Sequence, residues 1–136
     1  MRRTHPILLA VGFLLAAISA ANAESISLVA HLLGSTAHSG SDAFAEAQFT
    51  YDSNSHALEY YVNYDGVAPA KVDIHGPAGA GETAPAIVTF PLSESPISGT
   101  VTLTGGQATE LLAGKTYLDI HSKTYPDGEI RGQITR

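Results

Sequence analysis

The chain contains no cysteine. That removes disulfide staples, thiol nucleophiles, thiolate metal sites and thioether attachment of haem. An exported domain of this size without disulfides must hold together through its apolar core or a bound ligand. Basic residues are scarce, with 7 Lys and Arg against 13 Asp and Glu and a formal net charge of −6 over 136 residues. Nucleic acids and anionic membrane surfaces are recognised by basic patches, so neither is an expected partner. There is no Gly-x-Ser-x-Gly, no His-Glu-x-x-His and no phosphate loop, which leaves common hydrolase and nucleotide chemistries without a motif. No Asn-x-Ser/Thr sequon is present either.

What is present begins with a leader. Arg2 and Arg3 precede an apolar run from Ile7 to Ile18, and Ala21-Asn22-Ala23 follows. A positive start, a short apolar stretch and a small-x-small end are the parts of a secretory signal peptide. The run is shorter than the ~20 residues of a membrane span. Cleavage is expected after Ala23, leaving a single domain over 24–136, periplasmic or secreted, with no membrane span.

The rest reads as short strands between turn signals. Ser25 to Leu33 alternates with Ile26, Leu28, Ala30 and Leu32 on one side. Gly34 to Asp42 is rich in Gly and Ser and reads as a loop. Ala43 to Tyr51 alternates again, and after Asp52-Ser53-Asn54-Ser55 so do Leu58, Tyr60, Val62 and Tyr64, which predicts a hairpin. Lys71–His75, Ile87–Leu92, Gly99–Leu103, Tyr117–His121 and Glu129–Thr135 complete about eight strands, the last two as a final hairpin. Thr104 to Ala113 is the one stretch that reads as helix, with Gly114 as its stop. Close spacing of strands without helices between them predicts an all-β antiparallel Greek-key sandwich or barrel, with one short helix near 105–113.

Period two also gathers polar residues. Asp73 and His75 share one face of their strand, and Asp119 and His121 share one face of theirs. A hairpin with His121 opposite Glu129 puts Asp119 opposite Arg131. Glu129 is then expected to hydrogen-bond His121, and Asp119 to pair with Arg131, as a polar network of Asp119, Glu129 and Arg131. If the two Asp-x-His strands lie together, Asp73, His75 and His121 become candidate ligands for zinc or copper, with Glu129 orienting His121.

Ile74-His75-Gly76-Pro77, Leu112-Ala113-Gly114-Lys115-Thr116-Tyr117, His121 and Gly128-Glu129-Ile130-Arg131-Gly132-Gln133 follow in order. In this the chain resembles the CHRD (chordin) domain family, over roughly Ala43 to Ile134. The resemblance implies an extracytoplasmic β domain without a settled activity, and with the absence of a nucleophile motif it favours a binding or structural domain, with a protein or cell-envelope partner, over an enzyme. The family's His-x-His segment has Asp73 here in place of its first histidine, which weakens the case for a His-rich copper site while keeping a metal ligand. Two other functions fit some of these residues. One is a dismutase-like copper protein, by analogy of paired histidines on a Greek-key frame. The other is a glycoside hydrolase with Asp119 and Glu129 as acid and base, their strands being close enough for the ~5 to 10 Å such pairs need.

Overall fold

A computed structural model describes residues 24–136, and the signal peptide expected at 1–23 lies outside the described residues. Its framework is one antiparallel sheet of eight strands curled into a half-barrel. The strands are β1 (Ser25–Leu33), β2 (Phe44–Asp52), β3 (Ala57–Asp65), β4 (Lys71–His75), β5 (Ala86–Thr89), β6 (Ile97–Thr102), β7 (Tyr117–His121) and β8 (Ile130–Gln133). Their order across the sheet is β5-β4-β7-β8-β1-β2-β3-β6. The all-β antiparallel expectation therefore holds in its barrel-like form, with one continuous sheet.

β1, β2 and β3 form a meander because each alternates apolar and polar residues over nine positions. Leu28, Ala30 and Leu32, then Ala45, Ala47, Phe49 and Tyr51, then Leu58, Tyr60 and Val62 are all buried in one core. Asp52 starts the β2–β3 turn by accepting hydrogen bonds from the Asn54 and Ser55 amides, each 2.8 Å. Those two amides hold its carboxyl below the usual carboxylate range. The two wings of the sheet meet across the core, where Phe90, just past β5, stacks on Tyr60 of β3 at 3.7 Å between ring centres. Tyr61, the next residue, points outward and is half exposed, so these tyrosines divide between core and surface.

The helix α2 (Gly105–Leu112) stands where Thr104 to Ala113 was expected, with Thr104 as its N-cap and Gly114 in the left-handed region behind it. Ala108 and Leu111 carry its apolar side into the core. The segment read as a loop from Gly34 contains a single helical turn, α1 (Gly34–Ala37), closed by the Ser39 amide on the Gly34 carbonyl. Four residues are too few to show a helical period, so sequence pattern had nothing to register. Among the described residues no helix is long and apolar enough to cross a membrane.

β4 and β7 depart from simple alternation. Their apolar side chains, Val72, Ile74, Leu118 and Ile120, enter the core, but their other face is covered too, and Asp73 and Asp119 are buried. The cover is the segment 76–85, tied down through the Ala84 carbonyl, the Glu82 carbonyl and the Ala84 amide.

Candidate metal centre

β4 and β7 are adjacent and antiparallel, in a register that sets Asp73 opposite Asp119. His75 lies two residues beyond Asp73, opposite Tyr117, and His121 lies two residues beyond Asp119, opposite Lys71. The tripeptide Asp-Ile-His occurs in both strands, and the register lays one copy antiparallel to the other, aspartates in the middle and histidines outside. Both imidazoles lean inward, with ring centres 5.9 Å apart. His75 Nε2 and His121 Nε2 each lie 2.9 Å from Asp119 Oδ1 and 3.6 Å from Asp73 Oδ2. One ligand atom from each of the four residues lies within 4.8 Å of the other three.

The ring nitrogens facing away from this point fix the proton positions. His75 Nδ1 lies 2.8 Å from the Ala84 carbonyl oxygen, and His121 Nδ1 lies 2.8 Å from that of Pro126. A carbonyl oxygen only accepts, so each Nδ1 carries the proton and donates. A neutral ring then presents a bare lone pair at Nε2, aimed at a carboxylate oxygen that also offers only lone pairs. Such a contact needs a proton on Nε2 or a shared cation. His121 Nε2 and Asp73 Oδ2 are both buried and take part in no hydrogen bond. Lys71 Nζ approaches Asp73 Oδ2 to 3.2 Å as an ion pair, without hydrogen-bond alignment. Thr89 Oγ1 donates to the other oxygen, Asp73 Oδ1, at 2.7 Å.

Two carboxylates facing each other across a ladder repel, and these are 0% and 5% exposed. Burial presses the His75 imidazole toward its neutral form. The hydrogen bond and charge of Asp119, the Ala84 carbonyl and the charge of Asp73 outweigh that, so its pKa rises above the ordinary 6.5.

β8 adds Arg131 opposite Asp119, the expected register, but the expected side-chain contacts do not form. Asp119 is already held by two imidazoles. Arg131 lays its guanidinium 3.4 Å over the Tyr117 ring centre and donates to the Glu82 carbonyl, and no ion pair joins it to Asp119. Tyr117 in turn stacks on His75, with centres 4.8 Å apart. Glu129 does not hydrogen-bond His121. The β7–β8 ladder ends at Ile120 and Ile130, the Glu129 amide donates to the Ile120 carbonyl, and Glu129 lines a cavity that His121 does not. The Pro126 carbonyl orients His121 in its place.

A family model for the CHRD domain matches residues 28–134. The chain belongs to the CHRD domain family. No curated protein and no solved structure matches it. In this CHRD domain Asp73, like Asp119, has a carboxylate that faces both imidazoles. Sequence reasoning assigned Asp119 to an ion pair rather than to the cluster. The repeated Asp-Ile-His was the signal that pointed to it, since two copies paired at their aspartates bring all four side chains to one point.

Proposed function

We propose that this CHRD domain is an exported binding domain, periplasmic or secreted after loss of residues 1–23, that holds one divalent ion on Asp73, His75, Asp119 and His121. The observation that carries this is the convergence of both Nε2 atoms, each at 2.9 Å, on one buried carboxylate oxygen, with both Nδ1 atoms committed to backbone carbonyls. Metal-binding histidines are oriented in that way, by a carbonyl on the far nitrogen. The fit of the donor set is sound. Tetrahedral bonds of ~2.0 to 2.2 Å place ligand atoms roughly 3.3 Å apart, beside 2.9 and 3.6 Å for the imidazole–carboxylate pairs here and a limit of 4.8 Å over all four ligand atoms. Two imidazoles and two carboxylates suit zinc or copper(II). Bound there, the ion neutralises the facing carboxylates and cross-links β4 to β7. Burial of both carboxylates beneath partly buried imidazoles favours a binding or structural role over turnover.

The test is metal uptake by untagged protein. After loading and dialysis, about one equivalent of zinc or copper is expected, and the copper form should show coupling to two imidazole nitrogens by electron paramagnetic resonance. His121→Ala should leave one nitrogen coupling and lower affinity at least tenfold. Retention below a tenth of an equivalent would overturn the proposal and leave the cluster as a carboxylate–imidazolium lock.

A further inference from the structure

Neither the metal cluster nor the sheet uses the Glu129 carboxylate. The residue's backbone is pinned on both sides. The amide donates to the Ile120 carbonyl at 2.8 Å, and the carbonyl accepts from Ser39 Oγ at 2.5 Å. The side chain is therefore placed by the fold and not by a partner of its own. Glu129 is 7% exposed, and its Oε2 is buried with no hydrogen-bond partner. No ion pair among the described residues includes it. A buried carboxylate left in this state lacks the compensating donor that such groups ordinarily have.

Glu129 lines a cavity of about 460 Å³. Ala68, Pro69 and Ala70 form one wall, and Ser122, Lys123 and Thr124 the other. The alanines and proline offer alkyl surface, while the hydroxyls of Ser122 and Thr124 can accept further N–H groups. Asp73, His75, Asp119 and His121 are the one group with metal-ligand spacing among the described residues, so this cavity does not supply the several ligands a metal ion needs. A ligand that brings its own three donors and one positive charge fits better, and the chain's net charge of −6 draws cations toward it. We infer that this cavity binds a primary alkylammonium group, with Glu129 as its counter-ion. The group comes either from a free amine or from a lysine side chain of a partner protein.

The full chain, in its metal-loaded form, is titrated with n-butylammonium and separately with a lysine capped at both ends, following the amide resonances of Gly66, Ala68, Ala70, Ser122, Lys123 and Thr124. Saturable shifts are expected, with none from n-butanol. A response to both probes fits a free amine or a lysine. A response to the capped lysine alone identifies a partner's side chain as the source. Glu129→Gln should weaken binding at least tenfold while the metal content stays at that of the wild type. Ala68→Phe, which adds bulk to the wall and keeps the carboxylate, should block binding in folded protein. Absence of saturation with either probe overturns the inference, as does binding that survives both variants. So does binding that appears only after Lys123→Ala, because Lys123 would then be the native counter-ion.

Discussion

Gly132 lies in β8 where that strand runs against β1. A Cβ at this position would overlap the carbonyl oxygen and carbon of His31, which are backbone atoms and cannot rotate away. Gly132→Ala is therefore expected to destabilise the fold by about 2 to 3 kcal/mol, the cost of overpacking a close-fitted site. It should appear as a lower urea midpoint at unchanged slope, and a wild-type midpoint would contradict the close approach. The same residue scale explains where the expected contacts of this hairpin failed. Backbone register put Arg131 opposite Asp119, but which partner a long side chain takes depends on what competes for it. Here two imidazoles claimed Asp119, and Tyr117 with the Glu82 carbonyl claimed Arg131.

At the scale of elements, α2 is eight residues long and opens with two glycines, so its intrinsic stability is small. A reciprocal cap sets its start. The Gln107 amide donates to Thr104 Oγ1 at 3.2 Å, and the Thr104 amide donates to Gln107 Oε1 at 3.0 Å. Thr104→Ala should cost about 1 kcal/mol, read as a fall of roughly 4 °C in melting temperature. No change in melting temperature would show that packing of Ala108 and Leu111 alone fixes the helix. This element was legible from Thr104, Gln107 and Gly114 because caps and stops are local chemistry. The strand limits of β5, β6 and β8 were less so. Expected at 87–92, 99–103 and 129–135, they run over 86–89, 97–102 and 130–133, because a ladder ends where its neighbour ends.

For the whole molecule, the buried cluster links stability to pH. The folded-state pKa of His75 lies above the unfolded value of 6.5. In metal-free protein the protonated imidazole thus contributes stability that is full below pH 6.5 and is lost as pH rises through the folded value. The urea midpoint of protein kept in chelator should fall from pH 6 to pH 8, and His75→Ala should flatten that dependence. With an ion bound the sign reverses, since protons compete with the ion for the imidazoles and stability falls toward acid. At a free metal concentration of 100 times Kd the ion should add about 2.7 kcal/mol. A metal-free midpoint that rises between pH 6 and 8 would refute the assigned role of His75.

The sequence by itself determined the strands of the meander, the capped helix, the all-β class and the two Asp-Ile-His faces, because alternation, capping and turn chemistry act within a few residues. Only the tertiary structure decided that β4 and β7 are neighbours with Asp73 opposite Asp119, and that the segment 76–85 closes over them. It also decided that Glu129 makes no bond to His121 and lines a cavity apart from the cluster. Those outcomes depend on which distant stretches meet, and on the competition for partners that begins once they do.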